Sequence, residues 1–310
     1  MKNFMSRKMK IFLFVLAIIS LASYVSAAIV LYNSDFKISN YINKWNDDFN
    51  FNWHNYKNIG SLEKELSSDI KTIDITTSSV DVKIQFYDGN VIKIDGTSYT
   101  LGDITISNIV SDISSLNNTF RVNLNTNGYN DININIYVPL TYKNNIKINS
   151  ISGDCEITGG DLENVTINSN SGEIQLKNLT SKTLKLQTTS NDIDLSDIKS
   201  LDSTLNTTSG DIKVSVSSLG ELSSSTSSGE TELYLNNLGN KSTISSTSGE
   251  IDLYINESIG YALIFNTSSG NIDSDRLTPN FLNNNNYSVT NGDGSKKVDV
   301  KTTSGELYVR

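Results

Sequence analysis

The chain of 310 residues holds one cysteine, one histidine and two prolines, and it has fewer basic than acidic residues. A single cysteine, Cys155, excludes an internal disulfide and leaves the redox compartment open. It stands where aliphatic residues recur, which is the place of a small buried hydrophobe rather than a nucleophile. The lone His54 has no Cys, His or carboxylate at ligand spacing, so it makes no metal site. Lys and Arg number 25 against 34 Asp and Glu, a net charge of −9. Lys2, Arg7, Lys8 and Lys10 crowd the first ten residues, so the body is more acidic still. That balance excludes a nucleic-acid-binding surface. Arginine is scarce where the chain is most regular, with only Arg276 and Arg310 there. Many β-helices are polysaccharide-acting enzymes with clustered carboxylates or basic residues in a groove, and that pattern is missing. The chain reads as non-catalytic, with no cofactor.

After the basic head 1–10 comes Ile11 to Tyr32, free of charge over 22 residues. That length spans a bilayer as a helix. Positive charge before it keeps the N-terminus in the cytoplasm and sends the acidic body outside. We read 11–32 as an uncleaved signal-anchor in the cell membrane, because Ala28-Ile29-Val30-Leu31 continues the apolar run. The alternative is secretion after cleavage at Val25-Ser26-Ala27. Residues 33–69 form an aromatic juxtamembrane neck. Tyr41, Trp45, Phe49 and Trp53 recur every four residues there, which suits packing at the membrane interface or capping of the first repeat. Ser61 to Ser68 reads as a helical turn or a linker.

Beyond it one phrase keeps returning, Ser-Gly-acid. It stands at Ser152-Gly153-Asp154, Ser171-Gly172-Glu173, Ser209-Gly210-Asp211, Ser228-Gly229-Glu230, Ser248-Gly249-Glu250 and Ser304-Gly305-Glu306. Looser copies are Ser79-Val80-Asp81, Ser190-Asn191-Asp192 and Ser269-Gly270-Asn271. From 153 to 270 they fall 19 to 21 residues apart, the period of a solenoid. Aligned on the Gly, the positions seven and five before it and two and four after it are nearly all aliphatic. The last two run, for example, Ile174/Leu176, Ile193/Leu195 and Ile212/Val214. Polar residues alternate with them, so each repeat is strand, Gly turn, strand. The fold expected is all-β: a single β-solenoid over 70–310, with regular coils at 146–273. Stacked rows, roughly 4.8 Å apart, fuse into one apolar column that no repeat can build alone.

The turn residues Gly153, Gly172, Asn191, Gly210, Gly229, Gly249, Gly270 and Gly305 are expected to need positive φ. Ser or Thr stands three before each, a hydroxyl ladder bonding to backbone or between coils. The acids that follow, Asp154, Glu173, Asp192, Asp211, Glu230 and Glu250, are expected to accept local backbone N–H groups. A row of weak calcium sites on the same six residues is the sharper alternative, although the nonapeptide signature of calcium-binding β-rolls is missing. Asp88-Gly89-Asn90 between alternating runs signals a hairpin, and 85–145 reads as an irregular lid or an insertion between coils. Ser274 to Asp293 reads as an excursion before the last coil, 294–310, whose strand is expected at an open edge.

The run Ile134-Asn135-Ile136-Tyr137-Val138-Pro139, then Tyr142, Ile146 to Asp154 and the iterated phrase, resembles a bacterial adhesin-like family. That family is built of repeated short β-strands and is carried as a domain of unknown function. The resemblance covers about 70–310 and implies a membrane-tethered envelope protein, without catalytic residues to carry over. Two functions follow as expectations. One is a surface-exposed adhesin or binding module for cell wall, glycan or a protein. The other is a structural or regulatory envelope protein docking a membrane partner.

Overall fold

The structure is a computed structural model, and it describes residues 56–310 apart from 100–102, 127, 130, 276 and 284. The basic head, the anchor 11–32 and the neck as far as residue 55, with His54, lie outside the described residues. Among the described residues no helix is long and apolar enough to cross a membrane.

Among the described residues twenty-four strands form one hydrogen-bonded system. The first part of the chain holds β1 (Lys57–Glu65), β2 (Thr72–Thr77), β3 (Asp81–Tyr87), β4 (Val91–Ser98), a single helical turn α1 (Ile106–Ile109), β5 (Val110–Leu116), β6 (Thr119–Leu124) and β7 (Ile132–Pro139). The regular stretch holds β8 (Asn145–Ser150), β9 (Cys155–Thr158), β10 (Asp161–Ser169), β11 (Ile174–Lys177), β12 (Thr180–Gln187), β13 (Ile193–Ser196), β14 (Lys199–Asn206), β15 (Ile212–Ser228), β16 (Thr231–Leu238), β17 (Lys241–Ser248) and β18 (Ile251–Ile255). The last part holds β19 (Tyr261–Thr267), β20 (Ile272–Ser274), β21 (Asn280–Asn283), β22 (Asn286–Asn291), β23 (Lys296–Ser304) and β24 (Leu307–Val309).

Each regular coil is a long strand, a corner and a short strand, and it lies parallel and in register on the next. The long strands stack β8, β10, β12, β14, the second half of β15, then β17. The short strands stack β9, β11, β13, the first half of β15, β16, then β18. Alternation then places every second side chain inside. Ile174 pairs with Ile193 and Ile193 with Ile212, all three fully buried. Each such side chain contributes roughly 1.5–3 kcal/mol through removal from water. Ser203, Ser224, Thr231 and Ser242 break the aliphatic rows, yet the register buries them too, with hydroxyls that find no partner.

Both ends depart from the expected order. The long strand β2 lies between β6 and β8, and the short strand β3 between β7 and β9. Residues 119–139 therefore build a further coil beneath the first repeat, rather than a lid or an insertion between coils. The expected hairpin at Asp88-Gly89-Asn90 does not form. Instead β7 takes the edge of β3 in parallel, and β4 pairs antiparallel on the far side of β7. The alternating Ile132, Ile134, Ile136 and Val138, all buried, continue the apolar row of β3, which a β3–β4 hairpin would have left uncovered. Residues 61–65, expected as a turn or linker, are strand as part of β1. It pairs antiparallel with the remaining edge of β4, where Ser61 Oγ donates to Asp95 Oδ1 at 2.6 Å.

At the other end β23 is not an edge strand. It lies between β17 and β19, and β24 lies between β18 and β20. The last coil in sequence is thus wedged between the two before it. The step from Gly249 to Gly270, the 21-residue one, is where the chain climbs past that coil. After β20 the chain forms the antiparallel pair β21–β22, and β22 covers the outer edge of β19. Gly292 to Ser295 then crosses over the start of β19 into β23. A Cβ at Gly260 would meet the Asp293 carboxylate, which would have to swing away.

Candidate functional site

The glycine corners stack on one another, and the reason for glycine is close approach more than φ. Among these corner residues only Gly229 and Gly249 have positive φ, 143° and 155°. At every glycine in the column a Cβ would overlap the carbonyl oxygen of the corner residue below. Gly153 meets Val80, Gly172 meets Gly153, Gly210 meets Asn191, Gly229 meets Gly210, Gly249 meets Gly229, Gly305 meets Gly249 and Gly270 meets Gly305. The same contacts give the coil order independently, since Gly305 sits between Gly249 and Gly270. Asn191 brings a Cβ to this column and is held aside by its own amide, which donates to Ser171 O at 3.1 Å.

The hydroxyl ladder is there, and most of its bonds are to the turn. Ser150 Oγ donates to Gly153 O at 2.7 Å, Ser169 Oγ accepts from Gly172 N at 2.8 Å, and Thr207 Oγ1 donates to Asn191 O at 3.1 Å. Thr302 Oγ1 bonds Thr267 Oγ1 across coils at 3.0 Å. Thr188 and Ser246 are buried without a partner.

The acids form one column, and their partners lie in the next coil, not locally. Asp81 Oδ1 accepts Asp154 N–H at 2.9 Å. Asp154, Asp192 and Asp211 each accept the N–H of the following acid, Glu173, Asp211 and Glu230, at 2.8 Å. Every link begins at an aspartate. Above Glu173 the Asp192 N–H turns instead to Asn191 Oδ1 at 3.1 Å. Partial burial raises the carboxyl pKa of Glu173 and Glu230 above the usual glutamate range, and neighbouring carboxylates, Asp154 and Asp192 or Glu250 and Asp211, add to it. Among the described residues no three His, Cys, Asp or Glu side chains gather as a metal ion requires. Cys155 is buried in the column, and burial pushes its thiol up to about 12, the behaviour of an inert thiol.

The outward side chains form two long faces. On the long strands, Asn123, Thr76, Asn149, Asn168, Gln187, Asn206, Ser225 and Ser245 stand in register through eight successive coils. Asn168 Nδ2 donates to Asn149 Oδ1 at 3.2 Å. On the short strands the row is charged, with Lys83 on Glu156 at 2.9 Å and Lys213 on Glu232 at 3.1 Å. This face ends in an aromatic cluster. The Tyr234 and Tyr254 rings stack at 3.9 Å and 11°, and the Arg310 guanidinium lies 5.6 Å from the Tyr254 centroid and 5.5 Å from that of Tyr308. Arg310 also faces Asp252 at 3.7 Å. A depression of about 520 Å³ beside it is lined by Asn236, Asn256 and Glu257 as well as the two tyrosines and Arg310. Sequence reasoning missed this cluster. The signal was present, since Tyr234 and Tyr254 occupy the same place in successive repeats, but Arg310 joins them only through the wedged coil.

The chain is similar to several solved structures. One is a crystal structure of a proposed adhesin from Bacteroides fragilis, 12% identical, with a TM-score of 0.51, covering 81% of this chain and 96% of that one. Another is a proposed lipid binding protein from Parabacteroides distasonis, 14% identical, with a TM-score of 0.48 and the same shares covered. A third is a proposed adhesin from Parabacteroides merdae, 11% identical, with a TM-score of 0.36, covering 81% of this chain and 95% of that one. At such identity the first of these speaks for the fold alone. No curated protein matches the chain. Residues 70–310, nearly all of the solenoid just described, match Toastrack DUF4097, and the chain belongs to that family.

Proposed function

We propose that the chain is a membrane-anchored, outward-facing contact module, an adhesin-like solenoid without catalysis. The observation that carries this is the amide-and-hydroxyl row from Asn123 to Ser245. The core does not need those side chains, and the stacked strands hold them at fixed spacing through eight coils. Amides and hydroxyls offer both donors and acceptors to a glycan, a cell-wall polymer or a protein. The Tyr234, Tyr254 and Arg310 cluster adds the residue types that dominate binding energy at contacts. The uncharged run 11–32 behind a basic head supports export and anchoring.

The test displays the full-length chain on cells and scores attachment to cells, peptidoglycan and matrix. Replacing Asn149, Asn168, Gln187 and Asn206 together by Lys should abolish attachment while export continues. Attachment no greater than that of cells without the chain would sink the reading. A second reading, docking of a membrane partner, is favoured by the stripe Tyr41, Trp45, Phe49, Trp53. Crosslinking from Trp45 or Trp53 that captures one membrane protein, with attachment absent, would support it instead.

A further inference from the structure

The repeat supplies its own control, because each column shows what the fold asks for at one place. Two residues before the corner, eight of the nine copies carry Ser, Thr or Asn, such as Asn170 and Thr189. The ninth carries Ile151, which is 58% exposed. A single exposed aliphatic side chain is ordinary by itself. This one stands on the wall of a groove.

The groove has about 610 Å³, within the roughly 300–1,000 Å³ of small-ligand sites. Its floor is the start of the polar row, Asn123, Thr76, Asn149 and Asn168, in register on β6, β2, β8 and β10. Ile151 and Asn170 form one wall, and Ser111, on β5 beyond β6, stands at the end. These side chains reach solvent. Thr76, Ser111, Ile151 and Asn170 are exposed, and the three floor asparagines are half-buried. The amide ladder holds its members without using them up. Asn168 Nδ2 donates to Asn149 Oδ1 at 3.2 Å, and Asn149 Nδ2 to Asp74 Oδ1 at 3.5 Å. An amide has two N–H donors and two oxygen lone pairs, so each keeps a donor and an acceptor for a ligand. Among the described residues no charged side chain lines the groove. Asp74, which holds Asn149 from outside it, is paired with Arg121 at 3.8 Å.

This chemistry is selective. An ionic ligand would lose its hydration and find no counter-charge. Amides that both donate and accept suit hydroxyl groups, and Ile151 suits the C–H face of a sugar ring. The coils repeat every ~4.8 Å, close to the length of one sugar in an extended β-linked chain. We propose that this groove holds an uncharged β-linked glycan, laid along the solenoid with one sugar on each coil. The inference rests on the contact reading above and names its ligand. The sugar on the Asn149 coil lays its C–H face on Ile151. Past Asn168 the row continues through Gln187 and Asn206, so a longer polymer runs on along it.

The experiment titrates the full chain, kept in a sugar-free detergent, with β-1,4-linked oligomers of N-acetylglucosamine and of glucose, from the monomer upward. Affinity should climb with each added sugar and level off at about four, one for each coil of the floor. Ile151→Ser restores the residue type of the other copies. It should weaken binding by roughly tenfold and leave the melting temperature unchanged, which separates loss of the site from loss of the fold. Replacing Asn149 and Asn168 together by Ser, the residue type of Ser225 and Ser245 in the same column, should weaken it further. Oligomers of α-1,4-linked glucose, whose chain coils, and of uronates, which carry charge, should bind at least tenfold more weakly. Equal affinity in Ile151→Ser, affinity independent of length, or tighter binding of uronates would overturn the proposal. Attachment of cells without binding of any oligomer would overturn the glycan and leave the contact module standing. Binding of oligomers without attachment would keep the glycan site and sink the attachment reading.

Discussion

Reach decides what each acid does at the corner. An aspartate oxygen extends just far enough to take the N–H of the acid one coil on, and Asp81, Asp154, Asp192 and Asp211 all do so. A glutamate carries its carboxylate one methylene past that donor, and Asp192 N–H above Glu173 turns elsewhere. Asp192→Ala should therefore lower stability by about 1 kcal/mol, the usual net worth of such a bond. Glu230→Ala should leave it nearly unchanged, because it removes only a carboxylate whose charged form burial and its neighbours disfavour. Urea unfolding of the two variants side by side distinguishes them, and equal losses would mean that the ladder contributes nothing. The alternation that placed these acids outward was legible in the sequence. Their partners were not, because the donor lies 19 residues away and no local pattern marks it.

Between elements, stability belongs to pairs of coils. Ile193 is fully buried between Ile174 and Ile212, so Ile193→Ala opens a void against two neighbours at once. The loss should be about 2–5 kcal/mol. Combining it with Ile212→Ala should give less than the sum of the two separate losses, because the two voids are in contact and partly collapse together. Strict additivity by thermal or denaturant unfolding would contradict the continuous column. This column was readable in advance, since period-two alternation repeated near every 20 residues admits stacking and little else. The hairpin at Asp88-Gly89-Asn90 was misread for the same local reason. Its turn signal is genuine, but β7 offers β3 four buried aliphatic side chains and a parallel edge in register.

At the largest scale the described residues place their terminal repeats inside the stack. β2 and β23, from the first and last repeats in sequence, each lie one coil in, and antiparallel strands cover β6, β7 and β19, while the three-residue β20 pairs with β24 alone. An exposed parallel edge invites pairing with other chains, and this arrangement leaves neither terminal repeat at one. Removing 296–310 should strip β20 of its partner and leave β19 held by β22 alone. Hydrogen exchange should then speed up in β19 and β20 while β12 to β14 stay protected. Unchanged protection of β19 would show that its coil settles directly on β17.

The sequence by itself determined the repeat, the inward rows, the corner glycines and the hydroxyls beside them, because each follows from alternation and spacing within one repeat. Only the tertiary structure decided which coil lies on which at the two ends, and so brought Arg310 to Tyr254. Every coil presents the same parallel edge and the same aliphatic row, so the local code accepts any neighbour; chain connectivity and the cap strands select one.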